Sequence, residues 1–64
     1  MTQEADFDRL FKYRLLDEFG NLEDEASFSG DDIAIQWVRS RHPRLVTLGR
    51  LQRETVSGWV MIDF

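Results

Sequence analysis

A small α+β domain, a four-stranded antiparallel sheet with one helix on a single face (ββαββ), is the fold this chain of 64 residues predicts. Three observations carry that reading. Residues 31–42 have the start, apolar stripe, terminal charges and stop of a helix. Residues 45–52 and 59–64 are aliphatic and β-branched runs separated by a Ser-Gly turn. Residues 22–28 alternate with period two, a pattern that needs a neighbouring strand to satisfy its backbone.

The helix is the clearest element. Ser29 stands where an N-cap belongs, with Asp32 three residues on as a short-armed capping box. Asp31 and Asp32 occupy the first turn, and Arg39, Arg41 and His42 the last, each suited to its end of the helix dipole. Ile33, Ala34, Trp37 and Val38 draw one apolar stripe, and Pro43 stops the helix. Downstream, Leu45–Gln52 and Trp59–Phe64 read as strands joined through Arg53–Gly58 into a hairpin. The second of these strands is expected on a sheet edge, with Asp63 discouraging unwanted pairing there.

The N-terminal half admits two readings. In one, Phe7, Leu10, Phe11, Leu15 and Phe19 share a face of a helix over residues 4–19 that ends at Gly20, giving αβαββ. In the other, Phe11, Tyr13 and Leu15 alternate with Lys12, Arg14 and Leu16, the chain turns through Asp17–Asn21, and Leu22, Ala26 and Phe28 alternate back. The hairpin is preferred because it supplies residues 22–28 with a partner adjacent in sequence. Its core comprises Phe11, Tyr13, Leu15, Leu22, Ala26, Phe28, Ile33, Trp37, Val46, Leu48, Val60 and Ile62. With no repeat, linker or low-complexity segment, residues 1–64 form one domain, residues 1–9 serving as an N-terminal arm.

A chain this short buries a modest core, and no staple compensates for it: there is no Cys, and the lone His42 cannot assemble a zinc site. Tight packing or self-association must do so instead. The lack of Cys fits a reducing compartment, and no apolar run approaches the roughly 20 residues that span a bilayer. The acidic N-terminus lacks the layout of a signal peptide. A cytoplasmic protein with no membrane partner is the expectation.

The net charge of −4 is unevenly distributed. Residues 1–32 carry ten Asp/Glu against three basic residues, a balance of −7, and residues 33–64 carry five Arg against Glu54 and Asp63, a balance of +3. Asp17, Glu18, Glu23, Asp24 and Glu25 form the densest acidic group, with Asp31 and Asp32 nearby in sequence. Carboxylate pairs serve glycoside hydrolysis only across a substrate cleft, which so small a chain hardly provides. Glu23-Asp24-Glu25 lacks the spaced Asp/Asn and Gly pattern of a calcium loop, so no metal is expected. His42 lacks a nucleophile with an orienting partner and reads as a capping residue, and the glycines form no phosphate-binding pattern. No cofactor and no enzymatic activity follow from these residues.

What remains is binding. On an extended strand Glu23 and Glu25 project as a short charged row, about 6.7 Å apart; with the turn and the helix start it is either a solvated face that serves solubility or a surface that fits a basic groove. One helix covers one face of a sheet. The other face collects Leu10, Leu16, Leu51, Trp59 and Met61 with Lys12, Arg14, Glu23, Glu25 and Thr47; either residues 1–9 fold back and cover it, or Leu16, Leu51, Trp59 and Met61 make it a candidate homodimer or partner interface. Arg39, Arg41, Arg44, Arg50 and Arg53 raise direct nucleic-acid binding, with Trp59 or Tyr13 to stack a base, but the overall negative charge opposes it.

In being short, acidic, Cys-free and without a catalytic motif, the chain resembles phage-encoded inhibitors of the anti-CRISPR kind. The stretch Tyr13–Asn21, followed by an acidic strand and a helix, is also similar to small bacterial ββαββ proteins. The first resemblance implies a DNA-mimicking inhibitor in the host cytoplasm, whose acidic surface occupies a basic nucleic-acid-binding site on a CRISPR effector subunit. The alternatives are a homodimeric regulatory module and a nucleic-acid binder using the Arg39–Arg53 segment.

Overall fold

A computed structural model describes residues 10–64, so the arm expected over residues 1–9 lies outside them. The elements are β1 (Phe11–Leu16), β2 (Leu22–Phe28), α1 (Asp31–Arg41), a short helical turn α2 (Leu45–Leu48), β3 (Arg50–Thr55) and β4 (Gly58–Ile62). The four strands form one sheet in the order β2-β1-β3-β4, with every neighbouring pair antiparallel. The hairpin reading of the N-terminal half therefore holds, and the helix over residues 4–19 fails because residues 11–16 are strand. Since β2 and β3 are both antiparallel to β1, they run parallel to each other. They are joined by a crossover that carries α1.

The first hairpin turns on Asp17. Its Oδ1 accepts hydrogen bonds from the Phe19 and Asn21 backbone N–H groups, both at 2.9 Å. Gly20 sits at φ +85°, where an L side chain is strained. Beyond the turn, the register steps from Leu15↔Asp24 to Leu16↔Leu22, which leaves Glu23 as the extra residue of a β-bulge. The bulge sets Leu22 opposite Leu16. It therefore leaves the core side for the uncovered face, where it is 56% exposed.

The helix begins one residue later than its capping pattern suggests. Gly30, not Ser29, is the N-cap, and it makes no side-chain capping bond. Asp31 and Asp32 still occupy the first turn and Arg39 and Arg41 the last. The helix closes at Arg41, and the His42 N–H caps it on the Val38 carbonyl. Ala34 and Val38, one turn apart, are its fully buried residues, whereas Ile33 is exposed.

The largest departure from expectation lies at Leu45–Gln52. Leu45–Leu48 is a helical turn, entered through Leu45 N–H to His42 O (2.9 Å) and Val46 N–H to Pro43 O (3.3 Å). Strand β3 starts only at Arg50. This shift reverses the alternation: Leu51, expected on the uncovered face, is fully buried, and Leu48, expected inside, is exposed. Gly49 marks the junction. A Cβ there would lie 2.7 Å from the Leu16 carbonyl oxygen and 2.9 Å from the Leu45 Cβ. The β3–β4 hairpin pairs Leu51↔Ile62 through Thr55↔Gly58 around a two-residue loop, tighter than the Arg53–Gly58 connection expected.

The core is Tyr13, Leu15, Ala34, Val38, Leu45, Leu51 and Ile62, with Phe28, Ile35, Trp37 and Val46 packed against it. Phe11, Leu22, Ile33, Leu48 and Val60, expected inside, are instead exposed. Phe28 joins the sheet to the helix through its aromatic contacts with Tyr13 (5.9 Å) and Trp37 (5.3 Å).

Candidate functional site

The acidic residues divide by what holds them. Asp31, in the first turn of α1, accepts on one oxygen both the buried Tyr13 hydroxyl (2.6 Å) and Nη1 of Arg53 (2.8 Å). It thereby ties β1, α1 and β3 together. Burial, then the hydrogen bond to Asp31, pushes the Tyr13 hydroxyl up to about 12. The same carboxylate raises the pKa of the Arg53 guanidinium, which lies 5.3 Å over the Phe11 ring. Asp24 faces His42, with Oδ2 2.9 Å from Nε2. That hydrogen bond holds its carboxyl below the ordinary range. Asp17 is held low by the backbone N–H groups of Asn21 and Phe19 in the turn it shapes.

The remaining carboxylates face solvent more freely. Glu18 lies 3.4 Å from Arg44, and Glu25 3.5 Å from Lys12. Pairs exposed to this degree contribute about 1 kcal/mol or less. Glu23, on the bulge, and Asp32, at the helix start, are exposed and have no ion-pair partner among the described residues. β2 is an outer strand of the sheet. Its residues Glu23 and Glu25 therefore flank a backbone edge that no described strand covers, with Glu18 in the turn that enters β2 and Asp32 in the first turn of α1.

The sheet face that no described element covers is more polar than its sequence suggests. The Arg14 guanidinium lies 4.0 Å over the Trp59 ring while its Nε donates to Gln52 Oε1 at 2.7 Å. Leu10, Leu22 and Met61 are exposed, and Leu16 is partly buried. Leu51 has left this face for the core, and Thr47 lies on α2. Of the two proposed stacking residues, Tyr13 is fully buried, and Trp59 is partly exposed with the Arg14 guanidinium over one face of its ring. Of the five arginines from Arg39 to Arg53, Arg44 and Arg53 are already engaged by carboxylates.

At one end of the sheet the two hairpins part. β1 pairs with β3 only as far as Tyr13↔Arg53, while the outer ladders continue to Phe11↔Phe28 and Thr55↔Gly58. The open, mainly apolar recess between them is lined by Leu10, Phe11, Lys12, Arg53, Glu54, Thr55 and Val56. Its mixed charges select no ligand class. Among the described residues no group of three His, Cys, Asp or Glu side chains is placed to hold a metal ion, and no helix is long and apolar enough to cross a membrane.

The Tyr13–Asp31–Arg53 contact and the His42–Asp24 contact have no signal in sequence spacing. Each joins residues 18 or 22 positions apart, brought together by the crossover. Comparison with protein-family models, with curated proteins and with solved structures found no match.

Proposed function

We propose that this chain is a non-enzymatic protein-binding module whose acidic β2 edge docks on a basic surface of a protein partner. In its finer form, the partner surface is a nucleic-acid-binding groove, as on a CRISPR effector subunit, and the chain is an inhibitor that occupies it. The observation that carries this reading is the exposure of Glu23 and Glu25 along an outer strand. Carboxylates fixed on a rigid strand can meet a Lys/Arg-lined surface with little loss of freedom. Asp17, Asp24 and Asp31 have a different part. They hold the turn, the helix end and the sheet in register, and so position the exposed carboxylates. Glu18 and Asp32 extend the charged line at its two ends.

Association through such a surface is screened by salt. Capture of a partner from host lysate by the immobilised protein is expected to weaken steeply as ionic strength rises. The variant Glu23→Lys/Glu25→Lys is expected to lose that partner while its thermal unfolding stays within a few degrees of the parent, since both residues are exposed. Undiminished capture by a folded double variant would overturn the reading. Direct nucleic-acid binding is the competing outcome, visible as salt-sensitive binding of an oligonucleotide that the same variant strengthens.

A further inference from the structure

The two edges of the sheet are built differently. β2 carries Glu23, Asp24 and Glu25 and a bulge, devices that prevent one sheet edge from pairing with another. A second copy laid against β2 would bring like charges face to face. β4, the opposite edge, reads Gly-Trp-Val-Met-Ile. It has no charge, no proline and no break in its register with β3. Val60 and Met61 on it are 42% and 50% exposed.

Its backbone is also poised to pair. A two-residue hairpin loop closes on a hydrogen-bonded pair, here Thr55↔Gly58, and such pairs alternate along an antiparallel ladder. Gly58, Val60 and Ile62 therefore bond inward to β3, and the N–H and C=O groups of Trp59 and Met61 point outward. No described strand meets them.

We propose that β4 is a self-pairing edge through which two copies of this chain join antiparallel into one eight-stranded sheet. Centred on Val60, the pairing sets Trp59 of each copy opposite Met61 of the other. Both outward amides and both outward carbonyls of each copy are then used, making four intermolecular hydrogen bonds. The same register places Ile62 opposite Gly58, where no side chain obstructs it, and leaves Asp63 beyond the strand, opposite Ser57. A second copy fits better than a charged peptide because the edge offers no charge to select one. The interface also extends the buried surface of a chain whose core holds seven buried residues among those described.

The test is sedimentation equilibrium from low to high micromolar protein, combined with amide hydrogen exchange. The parent is expected to approach twice the 7.6 kDa chain mass. At high concentration its Trp59 and Met61 amides gain protection, while the Val60 amide is protected at every concentration. Met61→Pro removes an outward N–H without touching the β3 ladder, so it is expected to raise the dissociation constant at least about tenfold. Met61→Lys, which places a charge on the edge strand, serves the same end if the proline unfolds the hairpin. Leu22→Glu, on the uncovered face at the far strand, leaves an edge dimer intact. A single 7.6 kDa species throughout, or a dimer that dissolves on Leu22→Glu while Trp59 and Met61 amides exchange freely, overturns the proposal. Neither result bears on the acidic β2 edge.

Discussion

Asp31 shows how far a residue's role can depart from its charge. In sequence it is one more carboxylate at a helix start, suited to the dipole and to an acidic surface. In the fold it is the acceptor for a buried hydroxyl and the counter-charge to Arg53, so its removal strands both. Asp31→Ala is expected to cost about 2–3 kcal/mol in denaturant unfolding, more than the roughly 1 kcal/mol of Tyr13→Phe, which removes a donor and leaves no buried group unsatisfied. The Tyr13 hydroxyl gives a second signature. Its pKa rises from 10.0 to about 12 on folding, so the folded state holds the proton more tightly than the unfolded one. The stabilisation is complete below about pH 10 and is lost as pH rises through about 12. The fall across that window is on the order of 2–3 kcal/mol, more than Tyr13→Phe costs at neutral pH, because it includes the penalty of burying the phenolate and not only the loss of the hydroxyl's hydrogen bond. Stability of the parent relative to Tyr13→Phe, followed from pH 9 to 12, is expected to fall across that window; a flat difference would show that the hydroxyl is not held as described.

At the scale of elements, what was legible followed from local pattern. Helix α1 was readable because charge, stop signal and period agreed over consecutive residues, whereas residues 11–19 fitted a helical face as well as a strand, and only the need of residues 22–28 for a partner favoured the hairpin. The segment Leu45–Leu48 was not. Four aliphatic and β-branched residues suit a strand by propensity, yet they follow Pro43 and must carry the chain from the helix end back into the sheet. That turn makes the connection, and propensity yields to it. One residue of shift then inverted which of Leu48 and Leu51 is buried, because strand side chains alternate. Gly49 is where the sequence records this constraint, through the close approach of the Leu16 carbonyl rather than through a turn. Gly49→Ala forces that backbone contact apart and is expected to cost about 1–3 kcal/mol, read as a lowered unfolding midpoint at unchanged denaturant dependence. An unaffected midpoint would show that the junction can relax. The bulge at Glu23 was equally hidden: a period-two pattern does not announce an extra residue, although Leu22 beside Leu16 on the uncovered face is its direct consequence.

For the whole molecule, the acidic half and the basic half are partly spent on each other. Glu18–Arg44 and Asp31–Arg53 each join a carboxylate of the first half to an arginine of the second, so the polarity seen along the chain is partly reduced on the folded surface, while Glu25–Lys12 closes within the acidic half. The candidate site was legible only as composition. Its reduction to the exposed carboxylates of β2, and the separation of that edge from the uncharged β4, required the strand order. The two outer strands differ: β2 is bulged and bears carboxylates, and we propose that it docks on a basic partner; β4 is uncharged, and we propose that it pairs with a second copy. The most direct measurement is quantitative capture from a lysate of the source cells by three immobilised baits, the parent, Glu23→Lys/Glu25→Lys and Met61→Pro, each first verified as folded. The account predicts a salt-sensitive partner held by the parent and by Met61→Pro and lost from the charge-reversed bait. Retention of that partner by the charge-reversed bait would contradict it.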